Sequence, residues 1–262
     1  MRLETNKIYK GDCIEIMEEK IPDETIDLIY ADPPYNLSGK ALKWEGNKTG
    51  GDWYMMNEDW DKMSSEEYFA FTFKWIEQVK RVLKNNGSVY ISCTYHNIGE
   101  LLINLKRLGM KINNVITWYK TNAMPNMTKR VFTHSTEYVI WAAKEKNWIF
   151  NYEKMKDINP ERQKDGKLKQ MRDLWKIPLC QGKERIKGSN GRAVHPTQKP
   201  EILIERIILA SSKEGDIVLD PFFGVGTTGV VAGGLNRRWV GIEINSKYIK
   251  YAKKRIGQSL FD

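Results

Sequence analysis

Asp216-Ile217-Val218-Leu219-Asp220-Pro221-Phe222-Phe223-Gly224-Val225-Gly226-Thr227-Thr228-Gly229 decides how this chain folds. The apolar run from Ile217 to Leu219 reads as a strand that stops at a proline. A turn with two glycines follows, and Val230 to Leu235 then continues as a helix. Such a turn between strand and helix lets backbone N–H groups approach a ligand, and the helix amino terminus favours negative charge there. The next strand, Trp239 to Ile242, ends at Glu243. An acid about 20 residues beyond the turn, at the end of the following strand, is placed to accept hydrogen bonds from ribose hydroxyls. Thr227-Thr228 replace the third glycine of a dinucleotide site, and their hydroxyls suit a carboxylate better than a pyrophosphate.

The same alternation extends towards the amino end. Lys7 to Lys10 reads as a strand that breaks at Gly11-Asp12-Cys13 into a helix around Ile14, Ile16 and Met17. Ile26 to Ala31 is a compact apolar run halted at Asp32-Pro33-Pro34-Tyr35, where two prolines forbid a continued ladder. Residues 36–62 are polar and carry three tryptophans, more than a simple connection needs, and are expected to form a functional loop over the partner. From Ser64, capping chemistry and helical spacing predict a helix through Leu83, closed by Asn86-Gly87. Strands at 88–92, 114–118 and 137–142, and helices at 98–108, 202–210 and 246–256, complete the series. The spacing predicts an α/β fold with a doubly wound, mostly parallel sheet.

The chain of 262 residues carries 42 Lys+Arg against 33 Asp+Glu, a net +9. Residues 144–192 hold 14 basic and 7 acidic residues, so +7 of that excess sits in one segment of weak periodicity, interleaved with Trp148, Phe150, Tyr152 and Trp175. A polyanion partner fits this, as does an ordinary solvated basic face. Cys13, Cys93 and Cys180 are too few and too scattered for a disulfide framework or a Cys-x-x-Cys metal site. Neither a secretory leader nor a membrane-spanning stretch is evident, so a cytoplasmic protein without membrane partners is expected.

Together, Asp32-Pro33-Pro34-Tyr35 and the segment 220–228 resemble the catalytic and cofactor motifs of the amino-group DNA methyltransferases. Their order, with the basic segment and His195-Pro196-Thr197-Gln198-Lys199-Pro200 between them, is similar to the β group found in restriction-modification systems. The resemblance runs from about Ile8 to Ile256. It implies S-adenosylmethionine as methyl donor, S-adenosylhomocysteine as product, no metal, and adenine N6 in DNA as acceptor, reached by base flipping. Cytosine N4 is the alternative, since Asp at position 32 usually accompanies adenine. It further implies Asp12 and Cys13 at the cofactor adenine, Thr197 and Lys199 at its methionine end, and Asp32, Asp220, Phe222, Gly224, Gly226, Thr227, Thr228 and Glu243 elsewhere around it. Residues 1–143 and 193–262 would form the catalytic core and 144–192 a target-recognition insertion. Lys120 to Met127 would lie near the target base. A cognate restriction endonuclease and a monomeric or homodimeric state are further expectations.

An exocyclic amino group is a poor nucleophile because its lone pair is delocalised into the ring. Accepting hydrogen bonds from both of its N–H groups favours an sp³-like nitrogen aimed at the sulfonium methyl. Asp32 and the carbonyl of Pro33 are the expected acceptors, with Tyr35 as a flat face for the base. Transfer to RNA or to a protein amide is a competing reading, as is a DNA-binding protein of this fold without catalysis.

Overall fold

The computed structural model describes residues 3–36, 63–126 and 129–259; the loop expected at 36–62 lies, beyond Asn36, outside them. Among the described residues eight strands form one sheet. They are β1 (Lys7–Lys10), β2 (Ile26–Ala31), β3 (Leu83–Cys93), β4 (Lys111–Tyr119), β5 (Thr136–Ala143), β6 (Leu174–Lys176), β7 (Ile217–Asp220) and β8 (Arg238–Glu243), in the order β1-β8-β7-β2-β3-β5-β4-β6. The five strands from β1 to β3 run parallel, β5 is antiparallel to both β3 and β4, and β6 is parallel to β4.

Helices cover both faces, as a largely parallel sheet requires. The described helices are α1 (Cys13–Lys20), α2 (Ser65–Val82), α3 (Ile98–Arg107), α4 (Tyr152–Asp157), α5 (Glu201–Ser211), α6 (Thr227–Gly234) and α7 (Ser246–Ser259). The two-residue period of the strands sorts side chains between two cores. Ile29, Ala31, Val89, Ile91, Leu219 and Val240 join α1, α2 and α3 on one face. Leu28, Tyr30, Tyr90, Val218 and Trp239 meet α5 and α6 on the other.

Two helix bounds need correction. The second helix does not run to Asn86-Gly87: α2 ends at Val82, and Leu83 already pairs with Ile26. The register then shifts, so that Leu28 meets Ser88, and residues 84–87, set against the single Asp27, are absorbed as an irregularity inside β3. The polar Lys-Asn-Asn-Gly run that looked like a helix stop is this bulge. Part of the 144–192 segment packs with the sheet. Leu174–Lys176 adds β6 to the sheet edge and buries Trp175 and Ile177 against Trp118 and Ile116. A short edge strand closed by aromatic packing gave no periodic signal. Helix α6 also begins at Thr227, ahead of Val230, since its first turn is the threonine pair itself.

Gly241 shows how tightly the two halves of the cofactor motif are fitted. A Cβ there would run into the ring of Phe223, which stacks on Trp239 with centroids 5.3 Å apart. Gly241→Ala is expected to cost about 1–3 kcal/mol through overpacking, read as a fall of several degrees in Tm by calorimetry. An unchanged Tm would show that Phe223 can swing aside.

Candidate active site

The chain enters the sheet at β1, crosses to β2, and from there builds outward on one side through β3 while β7 is laid down on the other. The gap between the loops leaving β2 and β7 is therefore a topological switch point, where open α/β sheets bind ligands beyond their strand carboxyl ends. Leu28 pairs with Val218 and Ile29 with Leu219, so the two loops emerge side by side. A cavity of about 210 Å³ opens there, lined by Asp12, Cys13, Asp32, Pro33, Pro34, Tyr35, Thr197, Lys199, Asp220, Phe222, Gly224, Thr227, Thr228 and Glu243. Of the sequence-derived candidates, Gly226 is the one outside this lining; it shapes the turn, with φ +82° as the N-cap of α6.

The carboxylates are held in different ways. Asp220 is buried and accepts from the Phe222 N–H at 2.9 Å and from the Thr228 hydroxyl. Burial raises its pKa to about 7, with the neighbouring Asp32 and Glu243 charges adding to the effect. Glu243, also raised by burial, accepts from Gly224 N–H through Oε2 and from Asn245 N–H through Oε1, both at 2.7 Å. Each oxygen keeps acceptor capacity for a diol. Asp12 caps α1, its Oδ1 accepting from Ile14 and Glu15 N–H, while Oδ2 takes no part in that cap. Cys13 opens the helix and is buried beside the core.

Four residues have partners other than those expected. Lys199 is only 6% exposed, and its Nζ lies 2.8 Å from Oδ1 and 2.7 Å from Oδ2 of Asp32, whose side chain is 14% exposed. The lysine thus braces the Asp32 carboxylate. The ring of Tyr35 is not an open platform: it is buried, its hydroxyl donates to Asp32 Oδ1 at 2.7 Å, and Lys199 sits over it at 5.2 Å from the centroid. The threonine hydroxyls are also engaged. Thr228 donates to Asp220, and Thr227 donates to the Lys199 carbonyl at 3.5 Å while accepting from Arg255. Any carboxylate bound here must rely on the first-turn N–H groups of α6, which has no side-chain cap.

The Asp32 loop has a second support that sequence reading missed. Tyr68 donates from its hydroxyl to the Pro34 carbonyl at 2.9 Å, and Asn97 donates to the Tyr68 oxygen, also at 2.9 Å. The Pro34 carbonyl is thereby occupied, whereas no hydrogen bond among the described residues uses the Pro33 carbonyl. Tyr68 lies in an unremarkable helical stretch, and only the fold reveals the relay. Across the cavity His195 packs on Gly224 and on Tyr248, with ring centroids 4.7 Å apart. Burial drives its pKa down to about 4, so it is neutral near pH 7. In the Lys120 to Met127 stretch, Asn122 bonds Leu179 N–H and Gln181, tying that loop to the basic segment, and Lys120 pairs with Glu137. Met127 lies outside the described residues.

Known proteins place the chain in a family. The family profile described as DNA methylase matches residues 26–254. The chain is 43% identical over 256 residues to the Type II methyltransferase M.HinfI of Haemophilus influenzae, covering 96% of this chain and 68% of that protein. It is 48% identical over 242 residues to the Type II methyltransferase M2.DpnII of Streptococcus pneumoniae, covering 90% and 84% respectively. Among solved structures, the M1.HpyAVI–SAM complex aligns with a TM-score of 0.68 at 29% identity, covering 95% of this chain and 98% of that one. The cytosine-N4-specific PvuII DNA methyltransferase aligns at 0.72 with 20% identity, covering 98% and 92%, a likeness of fold. With two carboxylate-bearing loops meeting at the switch point and a profile spanning most of its length, the chain belongs to the DNA methylase family.

Proposed function

We propose that the protein transfers the methyl group of S-adenosylmethionine to N6 of adenine at specific sites in DNA, with Asp32, Pro33, Pro34 and Tyr35 forming the loop that receives the base. The observation carrying this reading is the Asp32 carboxylate, fixed by Lys199 and Tyr35 in the same cavity as the buried acids Asp220 and Glu243. The cavity suits the cofactor chemically. Glu243 has acceptor capacity for the ribose hydroxyls, Asp220 for a cationic group, and the α6 amino terminus for a carboxylate, with Phe222 as an apolar wall. Asp12, Cys13, Thr197, Gly224, Thr227 and Thr228 complete this binding set by shaping its walls, and Gly226 by setting the turn into α6. The cofactor supplies an electrophilic methyl on a sulfonium.

The remaining chemistry belongs to the chain. Asp32 Oδ1 accepts from both Tyr35 and Lys199 whereas Oδ2 accepts from Lys199 alone, so Oδ2 has the room to accept an N–H of the target amine as well; the Pro33 carbonyl accepts the other. The prolines and the Tyr68 relay hold these acceptors still, so the reactants meet already oriented. The base is swung out of the duplex to reach them.

The segment 144–192 is assigned to DNA, its lysines and arginines neutralising phosphates, so that binding weakens with salt. Residues 1–143 and 193–262 form the catalytic core in this reading. A restriction endonuclease reading the same sequence is its functional counterpart in the cytoplasm, and one or two copies of the chain act together.

The test is to treat unmethylated genomic DNA with the protein and labelled S-adenosylmethionine, digest part to nucleosides for mass spectrometry, and sequence the methylated positions in the rest. N6-methyladenine in one recurring context is expected. N4-methylcytosine would correct the base, and label appearing only in RNA or protein would overturn the reading.

Cofactor affinity should depend on pH through Asp220. Its raised pKa means the folded protein holds that proton more tightly than the unfolded chain, which favours folding as pH falls below about 7. A cationic ligand needs the ionised form, so its affinity should fall as pH drops below about 7, approaching tenfold per pH unit. Calorimetric titration from pH 5.5 to 8 checks this, and Asp220→Asn should flatten the profile. An unaltered slope in that variant would remove Asp220 from the account.

A further inference from the structure

The connection between β4 and β5 leaves the sheet on the same edge as the Asp32 loop. Ala31 of β2 pairs with Ile91, Cys93 of β3 with Tyr138, and Tyr119 of β4 with Thr136. Three strand spacings separate β2 from β4, roughly 14 Å, close to the ~12 Å width of a DNA major groove. On this connection Phe132 is 97% exposed, with Val131 at 58% and Met124 at 59%, and Tyr95, on the turn after β3, is 55% exposed. Single apolar side chains at a surface are ordinary, but three on one connection and a fourth on the next turn of the same sheet edge are not.

The connection is tied down at its base and to the neighbouring turn. Lys120 N–H donates to Ser135 O at 2.7 Å, closing the connection at its base, and Ser135 N–H donates to Thr133 O at 2.9 Å. The ring of His134 stacks on Tyr95, with centroids 5.2 Å apart and planes 15° from parallel, joining the connection to the β3 turn. Lys129 and Arg130 immediately precede the apolar pair and are exposed. An exposed apolar tip preceded by two cations is complementary to a stacked, phosphate-lined polymer.

We propose that Phe132 is a wedge that enters the base stack where the target base has been extruded, with Lys129 and Arg130 seating it on the adjacent phosphates. This inference rests on the DNA-methyltransferase reading above. Extruding a base gives up its stacking and pairing, and an aromatic ring in the vacated layer restores stacking contact and delays the return of the base.

The experiment uses the wild-type protein, Phe132→Ala and Phe132→Trp on two duplexes carrying the methylation context found for the wild type. In one the target is normally paired; in the other an abasic site stands opposite it, so that extrusion is easy. Phe132→Ala should lose about tenfold or more in kcat/KM on the paired duplex and recover to near the wild-type value on the abasic one. Phe132→Trp should keep most activity on both. With 2-aminopurine at the target position, the fluorescence rise on binding should shrink in the alanine variant. Equal turnover of the paired duplex by wild type and Phe132→Ala would overturn the proposal, as would an equal loss on both duplexes, which marks a folding or cofactor defect. A wild type inactive on both duplexes would instead overturn the methyltransferase reading.

Discussion

Asp32→Ala should reduce methyl transfer by at least a factor of about 10³ while S-adenosylmethionine binding stays close to the wild-type value. Losing a single preorganised group that stabilises developing charge typically costs about 10²–10³ in kcat, and Asp32 does more than that. Its Oδ2 is the acceptor assigned to the target amine, and its two oxygens anchor Tyr35 and Lys199. Alanine removes the acceptor and frees both neighbours at once. Cofactor affinity survives because the acids assigned to the cofactor, Asp220 and Glu243, have their own partners in Thr228, Phe222, Gly224 and Asn245. Single-turnover transfer from labelled cofactor measures the first quantity and calorimetry the second. Undiminished transfer by Asp32→Ala would remove Asp32 from the catalytic loop.

The second large effect is expected at Lys199. Lys199→Met keeps much of the aliphatic volume and leaves Asp32 without its cation in a nearly enclosed site. Removing one partner of a buried pair costs about 3–5 kcal/mol, and the partial exposure of Asp32 places this case towards the lower figure. The catalytic penalty follows from position: a small displacement of an orienting group costs about 10² in rate. The kinetic pattern separates two roles. A lysine bracing Asp32 predicts a fall in kcat at saturating cofactor with little change in cofactor affinity. A lysine gripping the methionine end predicts the reverse, weakened affinity with kcat retained.

Lys199 also shows where sequence reading reaches its limit. Its motif, His195 to Pro200, marks it as a site residue, and the structure does place it in the cavity. Its partner is 167 positions away, a relation no local pattern contains. The parallel centre of the sheet was legible because apolar runs, proline stops and glycine turns are local signals, and the two loops follow from strand ends that proline fixes. The turn at 86–87 was misread because Asn-Gly serves a bulge as readily as a helix end. Strand β6 was missed because three residues on an edge have no period to detect. Tyr68 and Asn97 act through the Pro34 carbonyl, and a residue that acts through another leaves no trace in composition.

The pairing of β2 with β7 bears on how the protein comes to exist. The Asp27 carboxylate accepts from the Ile217 N–H across 190 residues of chain, alongside the Leu28–Val218 pair. Contacts so distant in sequence form slowly and depend on a segment that leaves the ribosome long after the first strands. A nascent chain that has emitted Asp32 but not Gly224 has an acceptor loop with no place for a methyl donor. Chains interrupted before the Gly224 turn would therefore be chemically silent, and a cell making this protein gains modifying activity only once that late segment has been made.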